Sequence, residues 1–304
     1  MSELGHRHHL LENSQMQRFG PFAALGHSFQ VQTKDNTLGS YVDAVFKNLA
    51  SLTTIKPATT YTLLADAPAP WSYVLLVDGK GCAESEDPRY VLHYLFWHVN
   101  RQAVERSEQH VILHAAGVAR EGVGCVLPAA SECGKTTLAA GLVQRGFKYL
   151  TDEAVAVNPE TMTLHAFPKA LSIDRGSWTV LPDLEPEPTS LLRTYPPEQW
   201  HVPASDIRDN ALASTATPKV VISPRYREGA KTEITPVKRS DMVVRLATLT
   251  FDFRSRLRRN ASTLARLASA SACFDLVVGD LDEACSLVDG AVAQALSLEG
   301  ASNG

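Results

Sequence analysis

The residues best equipped for chemistry stand in one short stretch, Ala129-Ala130-Ser131-Glu132-Cys133-Gly134-Lys135-Thr136-Thr137. An apolar run, Gly124-Cys125-Val126-Leu127, precedes it and reads as a buried strand. Thr137 to Val143 reads as a helix with Leu138 and Leu142 on one face. Between a strand and a helix, Ala129-x-x-x-x-Gly134-Lys135-Thr136 has the form of a phosphate-binding P-loop, with alanine at the first glycine position. Successive backbone N–H groups and the positive end of the helix would wrap an anion. Lys135 would reach its terminal phosphates, and the Thr136 hydroxyl would bind Mg²⁺. The guest this pattern expects is a nucleoside triphosphate. The plain alternative is a structural turn. Glu132 is the discordant residue, because it brings a carboxylate to a polyphosphate at a place where many such loops have glycine. If the backbone there requires φ > 0, a side chain costs about 1 kcal/mol or more.

Phe147 to Thr151 reads as a strand that ends on two acids, Asp152 and Glu153. By position alone they suit a solvated turn equally well. Beside a phosphate loop they acquire a use: a metal on the phosphates needs an acidic ligand from a neighbouring strand end, and a hydroxyl nucleophile needs a carboxylate for its proton. Arg225 and Arg227 could steady a transferring phosphoryl group, although arginines beside a turn are more often surface residues. The proline- and acid-rich stretch from Pro182 to Ala204 reads as a long irregular excursion, either a lid near an acceptor or a surface insertion.

The elements that must position these groups fall into two units. Residues 19–108 read as an N-terminal α+β domain, with strands around Phe29–Thr33, Tyr61–Leu64 and Tyr73–Val77 and a tight turn at Asp78-Gly79-Lys80-Gly81. Asp87-Pro88 opens a helix to about Val104. Its His93, Trp97 and His98 suit a partner-facing or core-edge role better than catalysis. Residues 109–298 form the second unit, with an apolar strand from Val111 and a turn at Arg120-Glu121-Gly122 into the strand before the loop. Gly146 is a helix cap, and a hairpin spans Val155 to Phe167. Lys219–Ile222 is a strand closed by Ser223-Pro224-Arg225-Tyr226-Arg227. Helices follow at Asp241–Leu249, with Phe251 to Arg254 continuing it, and at Asn260–Ala270. Cys273–Val278 is a strand, and Asp280 caps a last helix. Residues 1–18 and 299–304 read as flexible tails, and His6, His8 and His9 in the first suit a disordered tail better than a metal site.

With 304 residues, 44% hydrophobic and 20% charged, the chain has an ordinary globular composition. A net charge of −4 with mixed signs gives no basic footprint for nucleic acid. No stretch has the export signal or the roughly 18 to 20 apolar residues a membrane span needs. Five cysteines without metal-like spacing fit reduced thiols in the cytoplasm. The oligomeric state is open, a homo-oligomer included.

From Ile112 to Ile173, through His114, the 129–136 loop and Asp152-Glu153, the chain resembles the HPr kinase/phosphorylase group, and more closely the HPr kinase-related kinases. The stretch Phe274 to Gly290 is also similar to that branch. The resemblance implies an α/β fold (α+β overall) with a P-loop kinase core of the HPr kinase/phosphoenolpyruvate carboxykinase type and a smaller N-terminal α+β domain. It implies ATP and Mg²⁺ as nucleotide and cofactor. Asp152 matches the base toward the acceptor hydroxyl, Glu153 a second acid near the metal, and His114 a histidine close to the reacting phosphate. Lys135 and Thr136 match the phosphate and Mg²⁺ ligands. The glycine-rich signature that follows the core in true HPr kinase/phosphorylases has no counterpart, so HPr is not the acceptor implied. Some members of the related branch accompany peptide natural-product genes and phosphorylate a precursor peptide, so the acceptor implied is a hydroxyl on a peptide, a protein or a small molecule. The competing readings are a nucleotide-binding scaffold with little turnover, motivated by Ala129 and Glu132, and an enzyme acting on a carboxylated metabolite.

Overall fold

A computed structural model describes residues 16–51, 56–65, 72–184, 193–194 and 199–302 of the chain. The fold is mixed α/β, with three sheets and eight helices among the described residues.

The first sheet holds β1 (Gln17–Ala24), β2 (His27–Thr33), β3 (Thr59–Leu64), β4 (Tyr73–Val77) and β5 (Lys80–Ser85), in that order. Alternation in β2 buries His27, Phe29, Val31 and Thr33 on one face. The β4–β5 turn uses Asp78 and Gly79, both at positive φ, as a two-residue hairpin needs. Two helices cover the buried face, α1 (Asn36–Phe46) and α2 (Pro88–Glu105). Asp87 caps α2 by accepting the Arg89 N–H at 2.9 Å, and Pro88 fills the first turn, where no N–H is missed. Val91, Leu92, Leu95, Phe96 and Val99 are buried along one side of α2. Their core also takes in Ile112, Ala154, Ala156, Phe167 and Ala170, so α2 lies directly against the elements that follow.

The second sheet is centred on β6 (Val111–Arg120) and β7 (Val123–Pro128). Along one edge β6 pairs first with β9 (Ala154–Val157) and then with β8 (Lys148–Thr151); along the other it pairs with β7. Beyond β7 come β14 (Thr215–Tyr226) and β16 (Ala272–Val278), both parallel to their neighbours, and then the antiparallel β15 (Glu233–Pro236). The short β10 (Leu164–His165) bridges β9 and β14. Helix α3 (Lys135–Gln144) leaves the end of β7 and is buried on nearly all sides, packed between the sheet and α8 (Leu281–Ser302). A side chain at Gly141 would bring its Cβ to 3.0 Å from Cys285 Sγ, so this residue sets how closely the two helices approach. Helices α6 (Arg239–Thr248) and α7 (Leu257–Ala270) close a third apolar cluster with Met242, Leu246, Leu264 and Leu267 at its centre.

Several local expectations change. β1 begins at Gln17, inside the expected 1–18 tail, and α8 runs to Ser302, into the expected 299–304 tail. His6, His8 and His9 lie outside the described residues. The Pro182–Ala204 stretch is not wholly irregular: β13 (Gln199–Val202) pairs with β11 (Leu171–Asp174) and β12 (Arg193–Thr194) in a third small sheet, and its middle lies outside the described residues. Between β11 and β12 sits one turn of helix, α4 (Arg175–Trp178), and after β13 another, α5 (Ala204–Ile207). β14 does not close at Ser223 but continues through Pro224 to Tyr226. Its pairing with β7 ends at Val221, so the N–H that proline lacks is not required on that side. Residues 251–256 form turns rather than a continuation of α6.

Candidate active site

The loop between β7 and α3 adopts the backbone that its residue types made contentious. Gly134 is at φ 83 and serves as the N-cap of α3, a left-handed conformation that glycine reaches without steric cost. Glu132, at φ 63, is also left-handed. This is the condition under which its side chain costs about 1–2 kcal/mol, and the loop carries it. Ala129 is buried, whereas Ala130, Ser131 and Glu132 are exposed at the loop's crest. Cys133 and Gly134 are half-buried, and the Cys133 carbonyl accepts the Tyr226 N–H at 3.4 Å, tying the loop to the end of β14.

Lys135 begins α3 and is buried. Its ammonium donates to the Ala130 carbonyl at 2.6 Å and lies 3.3 Å from His114 Nε2. Burial pulls the Lys135 pKa down, with nearby carboxylates opposing. His114 stands where the pairing of β6 with β9 ends on one edge and, one residue on, its pairing with β7 begins on the other, and its register neighbour is Ala154, one residue past the acids. Burial, reinforced by the Lys135 charge, lowers its pKa, so the ring is neutral at neutral pH and Nε2 accepts from Lys135.

The acids are presented by the β8–β9 turn, which Thr151 braces: its Oγ1 accepts the N–H groups of Glu153 and Ala154, each at 3.3 Å. Asp152 is only 4% exposed, and both its oxygens are engaged. Oδ1 meets the Tyr149 hydroxyl at 2.9 Å and the Lys169 ammonium at 2.8 Å; Oδ2 accepts from Thr136 Oγ1 at 3.1 Å and the Ser172 N–H at 3.3 Å. Burial pushes the Asp152 carboxyl up, but the Lys169 charge and these hydrogen bonds outweigh it and hold it below the usual carboxylate range. Glu153 is half-buried and faces the same space, with Lys169 Nζ at 3.4 Å and Asn100 Nδ2 at 3.2 Å.

The predicted groups Lys135, Thr136, His114, Asp152 and Glu153 therefore converge. With Ser131, Glu132 and Asp174 they line a cleft of about 260 Å³. Thr137 does not face it; its hydroxyl meets Ser177 Oγ at 2.7 Å and lines a separate cavity on the far side of the loop. Arg225 and Arg227 are exposed and line neither cavity.

Lys169 carried no sequence expectation. It is 5% exposed, and although burial opposes its charge, Asp152 and Glu153 raise its pKa. The one available signal was a lysine inside an otherwise apolar run, between Phe167 and Ala170-Leu171. The opposite wall comes from α2, where His93, Phe96, Trp97 and Asn100 line the cleft, so His93 and Trp97 border the candidate site. His201, from β13, completes that wall. Burial, with the Lys169 charge, drives its pKa down to about 3.

A hydroxyl and two carboxylates, at Thr136, Asp152 and Glu153, are hard oxygen donors of the kind Mg²⁺ accepts. Among the described residues no three His, Cys, Asp or Glu side chains converge to cage a metal, so an ion here would draw further ligands from phosphate and water. No helix among the described residues is long and apolar enough to cross a membrane. The chain matches no protein-family model and no curated protein sequence, which leaves its own geometry to carry the chemistry.

Proposed function

We propose that the chain is an ATP-dependent, Mg²⁺-requiring kinase that moves the γ-phosphoryl group to a hydroxyl on a peptide, protein or small molecule. The observation that carries this reading is the contact set at the start of α3: Lys135 on His114, and Thr136 on Asp152, at the floor of one cleft. The reading agrees with the resemblance to HPr kinase-related kinases and with their P-loop kinase core.

In the transfer the bond between the γ-phosphorus and its bridging oxygen breaks, and a bond from phosphorus to the acceptor oxygen forms. Thr136, Asp152 and Glu153 would hold Mg²⁺, which would supply charge neutralisation on the phosphates. Backbone N–H groups of residues 130–136 and the Lys135 ammonium hold the phosphates in place. His114, neutral, keeps that ammonium directed into the cleft. Asp152 orients the acceptor hydroxyl and takes its proton. Its Oδ2 is the less tightly held oxygen, because the bonds to Thr136 and Ser172 are longer than those on Oδ1. A depressed carboxylate suffices for this task, since a loose phosphoryl-transfer transition state asks little of a base.

The test is γ-labelled ATP with a panel of hydroxyl acceptors, using wild-type chain and Asp152→Asn. The expected result is transfer by wild type and its loss in a folded Asp152→Asn that still binds ATP. Full transfer by that variant would remove Asp152 from the proton-accepting role. A second reading, a nucleotide-binding regulatory or scaffold protein, is favoured only by the left-handed Glu132. ATP binding with no consumption across the panel selects it.

A further inference from the structure

The loop at 129–137 has a cavity on each side. The second, of about 290 Å³, is lined by Gly134, Thr137 and Leu138 of the loop and α3, Gly176 in α4 and Val180 just after it, Tyr226 at the end of β14, and Val278 and Leu281 where β16 enters α8. It differs in chemistry from the acidic cleft. Its walls are mainly apolar, and no lysine or arginine among the described residues lines it, so no side-chain cation there would hold a phosphate. Tyr226 is 54% exposed and is anchored by its backbone N–H on the Cys133 carbonyl. Apart from Tyr226, its polar side chains are the hydroxyls of Thr137, Ser177 and Thr179 and the carboxylates of Glu132 and Asp174. A mainly apolar slot with one aromatic plane and hydroxyl and carboxylate acceptors suits a flat, uncharged heteroaromatic ring that carries N–H donors.

We propose that this cavity is the subsite for the purine base of the nucleotide, with Tyr226 stacking on it; the proposal rests on the nucleotide reading of the 129–137 loop. Glu132 and Asp174 border both cavities, so a nucleotide lying across the loop would have its base beside Tyr226 and its terminal phosphate beside Asp152. The polarity of the bound nucleotide is thereby fixed. The acceptor must enter from the α2 side, past Trp97 and His93, because the base occupies the other side.

Calorimetric titration of the full chain with ATP and, separately, with inorganic triphosphate tests this. Two variants are used: Tyr226→Ala, which removes the ring, and Gly176→Phe, which fills the slot. An added Cβ at Gly176 meets no atom within 4 Å, so the backbone tolerates the change. Wild type is expected to bind ATP more tightly than triphosphate. Each variant should lose about tenfold in ATP affinity with triphosphate binding unchanged, the scale of one lost base–aromatic stack. If wild type binds ATP and both variants bind it equally well, or if ATP is bound no more tightly than triphosphate, the subsite is wrong while the phosphate loop stands. If wild type binds neither, the nucleotide reading fails and the subsite with it.

Discussion

Asp152 has four partners on two oxygens, and one of them is a buried ammonium. Lys169 therefore decides whether that carboxylate is tolerated in the interior. Replacing Lys169 with Met should cost about 3–5 kcal/mol in urea unfolding, because a buried charge loses its compensation. Asp152→Asn/Lys169→Met together should cost less than the two single changes summed, and strict additivity would show that the pair is not coupled. The pH dependence has two limbs. The depressed Asp152 gives stability that is present above the ordinary carboxylate range and lost as pH falls through its lowered value. The raised Lys169 gives stability that is present below the ordinary lysine range and lost as pH rises through its raised value. At Glu132 the strain is conformational. Glu132→Gly should raise stability by roughly 1 kcal/mol, as left-handed strain is removed, and should tighten ATP binding about fivefold in calorimetry, as one repelling carboxylate leaves the loop. Unchanged affinity would mean that the carboxylate is turned away from the phosphates.

Helix α3 carries Lys135 and Thr136 at its first turn, and its packing on α8 sets where they point. Gly141→Val should destabilise the chain by about 1–3 kcal/mol, since the added atoms meet Cys285 Sγ and the Leu281 methyls and β-branching adds nothing to a helix interior. A thermal midpoint equal to that of wild type would show the α3–α8 contact to be loose. This element was legible in the sequence because everything that makes it is local: a strand, a glycine cap and an apolar helix in succession. The β8–β9 turn with its two acids was legible for the same reason. Lys169, Asn100 and His201 were not, because each reaches the cleft from a different part of the fold, and periodicity within one segment contains no information about that convergence. The full length of β14 is not legible in the sequence because Pro224 is a stop signal locally, and only the register shows that the β7 pairing ends at Val221, before the proline, while the β16 pairing runs on.

Across the whole molecule, the N-terminal sheet and α2 are packed on the elements that carry the acids, so stability and site are linked through shared burial. Two histidines buried in this body make the chain acid-sensitive. Burial, with the Lys169 charge, lowers His201 to about 3, and burial, with the Arg106 charge, lowers His27 to about 4. In the unfolded chain both take up a proton near pH 6.5, so unfolding is favoured as pH falls below that value. Urea unfolding at pH 5 should show a loss of roughly 2 kcal/mol for each of these two histidines relative to pH 7, and His201→Gln should remove its own share. A flat profile between those pH values would contradict the buried neutral state. The central claim is that Lys135, held on His114 at the start of α3, grips the phosphates of a nucleotide. Titrating Mg²⁺-ATP into wild type and Lys135→Ala by calorimetry tests it most directly. The account predicts a single binding event in wild type that falls by about 100-fold or more in the variant, as the loss of a buried charge-assisted contact requires. Equal binding by the two, or none by wild type, would contradict it.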